Sequence, residues 1–185
     1  MIVNKNNNPK KITLPISDET IKSLAVGQEI LLSGEIYTAR DAAHKRIAQL
    51  LSENKPLPFD LAKLAVVYYA GPCPAPPGKI IGSVGPTTSK RMDSYAPQLI
   101  SKGLKIMIGK GNRDNAVINA IKSHCGLYLA AVGGAGALIA QCVQKSEIIA
   151  FADLSAEAVY RLTVENMPLV VAVDCFGGNI YERGE

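Results

Sequence analysis

Apolar positions along this chain recur with two different periods, and each change of period marks a new element. Lys11 to Ile16 alternates and predicts a first strand. Ser17 is placed to cap a short helical turn that runs to Leu24. Gln28 to Tyr37 predicts a second strand, interrupted at Ser33-Gly34. Thr38 then reads as the N-cap of a helix with Asp41 at its third helical position, close to a capping box. Ala43, Ile47, Leu50 and Leu51 form the apolar stripe of that helix. Arg40 falls in its first turn, where it opposes the helix dipole, and His44 follows one turn later on the same face.

Glu53 to Pro58 reads as a turn and Ala65 to Ala70 as a strand. Gly71 to Gly78 is too rich in proline for regular structure, so it is either a subdomain boundary or a loop over a site. Beyond it the period switches regularly. Strands are predicted at Lys79–Val84, Leu104–Ile108, Leu127–Val132, Ile148–Ala152 and Leu169–Val173. Helices are predicted near Ser89–Lys102, Asp114–Ser123 and Ala135–Val143. Apolar strands that alternate with helices imply a largely parallel sheet. The expected fold class is α/β, with a strand-rich first half and strand–helix alternation in the second.

Composition narrows the classes. With 48% apolar and 19% charged residues, the 185-residue chain is globular, one large domain or two small ones. A net charge of +4, without Trp or a long Lys/Arg run, is not the footprint of a nucleic-acid binder and suits a small acidic substrate. No apolar stretch is long enough to span a membrane. Met1 to Lys11 lacks the apolar region of a secretion signal, so the expected location is the cytoplasm. Cys73, Cys125, Cys142 and Cys175 form no C-x-x-C pair and read as small buried residues in a reducing compartment.

Three stretches and two histidines are candidates for chemistry. Gly85-Pro86-Thr87-Thr88-Ser89-Lys90-Arg91-Met92-Asp93 joins a predicted strand to a predicted helix. It reads either as an anion seat, made by helix N–H groups with Lys90 and Arg91, or as a capped helix whose cations face water. Gly109-Lys110-Gly111-Asn112 also follows a buried strand, and Lys110 either reaches an anion at the same sheet edge or is solvated. Gly133-Gly134-Ala135-Gly136 lacks the G-x-G-x-x-G spacing, so close strand–helix packing or an anion seat is expected rather than a dinucleotide site. His44 is placed either to orient a carboxylate or on the surface, and His124 reads as structural.

Taken together, Thr38-Ala39-Arg40-Asp41-Ala42-Ala43-His44, the Gly85–Asp93 stretch and Gly109–Asn112 resemble the class I, iron–sulfur-dependent fumarate hydratases. Phe151-Ala152-Asp153, Glu157–Tyr160 and Met167–Asp174 extend the likeness. The match is to the C-terminal domain of one-chain enzymes or the β subunit of two-chain ones, with the L-tartrate dehydratase β subunit as sister family. The resemblance implies that residues 1–185 form one swivelling β/β/α domain. It implies reversible hydration of fumarate to L-malate at a [4Fe–4S] cluster, whose open iron acts as Lewis acid. The cluster would be held by the cysteines of a partner α subunit in an α2β2 assembly, not by this chain. Arg40, Arg91 and Lys110 match positions that grip the substrate carboxylates, and Thr87 matches the position proposed as base at C3. Two further classes remain in view: a stand-alone dicarboxylate-binding module, and a nucleotide-binding enzyme using Gly133–Gly136.

Overall fold

The computed structural model describes residues 8–60, 64–132 and 134–182. Most of the Met1–Lys11 stretch and Gly133 of the glycine-rich turn lie outside the described residues. Seven strands and five helices follow in the order β1 (Lys10–Thr13), α1 (Asp18–Lys22), β2 (Glu29–Thr38), α2 (Asp41–Ser52), β3 (Val66–Tyr68), α3 (Ala96–Ser101), β4 (Ile106–Gly109), α4 (Asn115–Ser123), β5 (Leu127–Ala130), α5 (Gly136–Cys142), β6 (Val143–Ala150) and β7 (Val159–Val173).

The sheet order is β1-β2-β3-β4-β5-β7-β6, with β1 to β5 all parallel. β7 runs antiparallel to β5 and also pairs antiparallel with β2, from Glu29 opposite Val170 to Thr38 opposite Tyr160. That second pairing closes β2, β3, β4, β5 and β7 into a barrel-like ring, with β1 and β6 outside it. The fold is therefore mixed α/β, and its sheet is not confined to parallel pairs.

Period-two burial separates two cores. Val66, Tyr68, Ile106, Ile108, Leu127 and Leu129 fill the ring together with Ile36, Leu162 and Leu169, while Ile21 of α1, Leu24 just after it and Ile139 of α5 join them. The intervening Val67, Tyr69, Met107 and Tyr128 face outward and are covered by Ala43 and Ile47 of α2, Ala96 and Leu99 of α3, and Val117 and Ile121 of α4. Strands covered on both faces read as unbroken apolar runs, which is why β3, β4 and β5 stand out in the sequence.

Several expectations need correction. Lys79–Val84 is not a strand. It doubles back on the proline-rich segment through Cys73 N to Ser83 O at 2.9 Å and Gly82 N to Cys73 O at 3.2 Å. The prolines facing it have no N–H with which to extend a ladder. The segment expected as one helix from Ser89 to Lys102 is a 3-10 turn, Ser89–Met92, followed by α3. Pro97 in the first turn of α3 explains the break, because its ring cannot sit inside a continuous helix. Met92, Ala96, Leu99 and Ile100 are all buried, as their spacing implied. Thr38 does not cap α2: it ends β2, and Arg40 occupies the N-cap. Ser17 caps α1 as expected, accepting from Thr20 N at 3.2 Å. The interruption at Ser33-Gly34 is a register shift in the β2–β7 ladder.

Candidate active site

Neighbouring parallel strands β2, β3 and β4 all end on one rim of the ring, the usual place for a ligand crevice in α/β proteins. Each delivers residues singled out in the sequence. Arg40 follows β2, and Lys110 follows β4. Between the ends of β3 and β4 runs an extended segment bridged from Pro86 to Ala70 and from Thr88 to Lys110. Its amides are used for that placement: Thr87 N donates to Tyr69 O at 2.8 Å and Ser89 N to Lys110 O at 2.9 Å. Those two amides are therefore not free to seat an anion.

Two arginines meet at one carboxylate. Arg91 Nε lies 2.8 Å from Asp41 Oδ1, and Arg40 Nε lies 3.5 Å from Asp41 Oδ2. Arg91 Nη1 also donates to Thr87 Oγ1 at 3.4 Å. Arg40 Nη2 lies 3.3 Å from Glu157 Oε1, while Glu157 Oε2 accepts the Ala42 N–H at 2.8 Å and so closes the start of α2. Lys110 is exposed and makes no ion pair among the described residues. Lys90, which the sequence grouped with Arg91, instead pairs with Asp114 at 3.1 Å. The rim thus gathers Thr87, Arg40, Arg91 and Lys110, and its cations are incompletely neutralised.

Beneath the rim lies a buried layer that positions it. Arg113, with no exposed side-chain surface, sets Nε 2.6 Å from Asp93 Oδ1, and its guanidinium stacks on Tyr69 and Tyr128 at 5.3 and 4.9 Å from the ring centroids. Asp93 Oδ2 accepts from Asp114 N at 2.6 Å, tying the Ser89–Met92 turn to the start of α4. Tyr128 donates its hydroxyl hydrogen to Gly111 O at 2.8 Å, so Ser89 Oγ, 2.9 Å away, is the donor to the Tyr128 oxygen. Asn179 Nδ2 reaches Asn112 Oδ1 at 3.2 Å. Every residue of the Gly109–Asn112 turn is consequently held in place. A Cβ on Gly109 would collide with Ser89 Oγ, so glycine is required there.

His44 is fully buried rather than on the surface. Its Nδ1 lies 3.0 Å from Arg40 O, which makes Nδ1–H the donor and leaves Nε2 as an acceptor without a partner among the described residues. Burial holds its pKa well below the ordinary histidine value, at about 4, with the nearby Arg113 charge adding to the effect. His124 is exposed at the end of α4.

Gly136 packs directly on Gly85, where an added Cβ would meet the Gly85 nitrogen at 2.9 Å, and Val84 N donates to Gly136 O at 3.2 Å. The described part of the glycine-rich turn is therefore a close-packing device. Cys175 is buried, Cys125 and Cys142 are partly buried, and Cys73 is exposed, so the expectation of four buried cysteines holds for one. Among the described residues no three His, Cys, Asp or Glu side chains are placed to hold a metal ion, and these cysteines do not fit a [4Fe–4S] cluster. A groove of about 530 Å³ is lined by Leu14, Ile16, Glu35, Tyr37, Lys105 and Arg161 and contains none of the rim residues. No helix of the described residues is long and apolar enough to cross a membrane.

Three residues of this site were not assigned to it from the sequence. Asp41 read as a capping residue, Glu157 entered only as part of a matching tail, and Arg113 was not singled out, since a charge in a sequence most often marks a solvated position.

Comparison with known proteins adds an independent finding. The model of the family described as fumarase C-terminus matches residues 2–184. Fumarate hydratase 2 of Leishmania major is 38% identical over 167 residues, which cover 89% of this chain and 29% of that protein. The aerobic class I fumarate hydratase of Escherichia coli K12 is 39% identical over 160 residues, 85% of this chain and 29% of the enzyme. A protein of Methanocaldococcus jannaschii, provisionally named the β subunit of L(+)-tartrate dehydratase, is 38% identical over 174 residues, covering 91% of this chain and 89% of that subunit. The chain thus spans less than a third of the length of these fumarate hydratases but nearly all of the tartrate dehydratase subunit.

Proposed function

From the membership of this chain in the fumarase C-terminus family, we propose that it is the substrate-gripping part of a hydro-lyase that interconverts fumarate and L-malate. The observation that carries this reading is the rim itself. Arg40 and Arg91, far apart in sequence, converge on one carboxylate, and Lys110, bridged to Thr88 next to Thr87, has no ion pair among the described residues. A dicarboxylate is the small ligand whose two charges such a set would hold.

In this reading the arginines and Lys110 bind the substrate carboxylates, the arginines through planar forks and the lysine as a point charge. Removing a C3 proton from malate builds negative charge onto the adjacent carboxylate. Fixed cations stabilise that charge as it develops and need no reorganisation to do so. Thr87 is the proposed acceptor of the C3 proton. A hydroxyl is a poor base, and the Arg91 guanidinium at 3.4 Å supplies the electrostatic support its alkoxide form requires.

Class I fumarate hydratases are iron–sulfur enzymes. Because no three cysteines of this chain converge, the reading assigns the [4Fe–4S] cluster to a partner α subunit, in an α2β2 assembly within the cytoplasm. Residues 1–185 are taken as one domain that swivels against that partner to close the site. Arg91 and Lys110 stand exposed at the rim, which suits half of a shared cleft.

The second reading is the β subunit of an L-tartrate dehydratase. It is favoured by the near-complete coverage of the M. jannaschii subunit. Anaerobic co-purification of this chain with its partner from the native host, followed by iron, fumarate and tartrate assays, tests both. Fumarate hydration by the complex supports the main reading, tartrate dehydration moves it to the second, and an iron-free chain that elutes alone and inactive rejects both.

A further inference from the structure

The start of α2 divides its work between two acids. Glu157, from the far end of the chain, takes the Ala42 N–H and Arg40 Nη2. Asp41, the first residue of the helix, is thereby released from capping, and its carboxylate turns to the arginines. One oxygen takes Arg91 Nε at 2.8 Å, and the other faces Arg40 Nε at 3.5 Å. Asp41 Oδ2 and Arg40 Nε are both buried and neither makes a hydrogen bond among the described residues, so the contact between them is an ion pair only.

The choice of nitrogen matters. A guanidinium held at Nε can still meet a carboxylate by a fork, because each terminal nitrogen carries two hydrogens and the Arg40 Nη2–Glu157 and Arg91 Nη1–Thr87 contacts take one apiece. Arg91 sits on a half-exposed turn, where a free side chain would sample many rotamers and lose that freedom on binding. Asp41 removes the freedom beforehand.

Resting on the functional reading above, we propose that Asp41 is the positioning residue that orients both arginines for the substrate carboxylates. It touches neither substrate nor reacting atoms and acts through Arg91 and Arg40.

The test uses the full chain assembled with its partner, with wild-type turnover as the reference. Asp41→Asn should lower kcat/KM about 100-fold, the usual cost of a misplaced contact, while thermal unfolding is little changed. In an Arg91→Lys background, where only the Arg40 fork remains to be oriented, the same substitution should cost less, about 10-fold. Equal losses in both backgrounds would overturn the proposal. An arm that needs no partner follows the Arg91 Nε–H resonance of this chain by NMR. Asp41→Ala should abolish its protection from exchange, and an unaltered signal would also overturn it. A wild-type complex that turns over neither fumarate nor tartrate rejects the functional reading, and the NMR arm still decides the role of Asp41.

Discussion

Arg113 and Asp93 form an ion pair of 2.6 Å with the arginine side chain fully sealed from solvent and the aspartate nearly so. The pair joins the turn that carries Arg91 to the start of α4, and two tyrosine rings flank its guanidinium. Arg113→Met should strand a buried carboxylate and cost about 3–5 kcal/mol of stability. The double substitution Arg113→Met with Asp93→Asn should cost less, since no unpaired charge remains. Denaturant unfolding of the three proteins gives the comparison, and a single variant as stable as the wild type would contradict it.

The rim cations should matter to turnover and not to folding. Arg91→Ala and Lys110→Ala in the assembled enzyme should each lose about 2–4 kcal/mol of transition-state stabilisation, with circular dichroism and partner binding retained. Thr87→Val should abolish exchange of the C3 proton with solvent while substrate still binds. Ordinary turnover in Arg91→Ala and Lys110→Ala would remove those residues from the site, and ordinary proton exchange in Thr87→Val would remove Thr87 as base.

Gly109 ends β4 under the hydroxyl of Ser89, and Tyr69 Cδ2 is also only 3.0 Å from where its Cβ would be. Gly109→Ala should therefore cost about 1–3 kcal/mol through overpacking. Pairing it with Ser89→Gly removes the first obstacle and should restore part of the loss. A melting temperature equal to that of the wild type in Gly109→Ala would show that the turn gives way easily.

His44 makes stability depend on pH in a defined direction. Its folded-state pKa of about 4 lies below the ordinary value of 6.5, so between those values the unfolded chain binds the extra proton. Stability from this group is complete above pH 6.5 and is lost as pH falls toward 4, by about 3 kcal/mol in all. His44→Asn keeps a donor near Arg40 O and cannot titrate there. The difference in unfolding free energy between the two proteins should slope across this window and flatten outside it.

What the sequence disclosed depended on what each residue faces. β3, β4 and β5 are buried on both faces and were read from their apolar runs, and the stripe of α2 followed from period alone. Lys79–Val84 has the same composition and failed as a strand, because the segment opposite it is proline and cannot pair. β7 was seen only over Leu169–Val173, since Thr163, Glu165, Asn166 and Pro168 break its apolar pattern. Its pairing with β2 closes the ring, and no local pattern encodes it. At the rim, Arg40, Arg91, Lys110 and Thr87 were found through their motifs. The bond from Asp41 to Arg91 was not, because an acid at a helix start already has a local explanation.

β7 has a consequence for how the molecule is made. Its residues join β2 on one side and β5 on the other, and Val170 pairs with Glu29 near the opposite end of the chain. During synthesis β1 to β5 leave the ribosome as an open row of parallel strands, and the seam waits for the last long strand. Contacts so distant along the chain form late and slowly. The ends of β2 and β4, and with them Arg40 and Lys110, take their final spacing only when that seam forms. A nascent chain interrupted before β7 would carry every rim cation and still lack an accurate site.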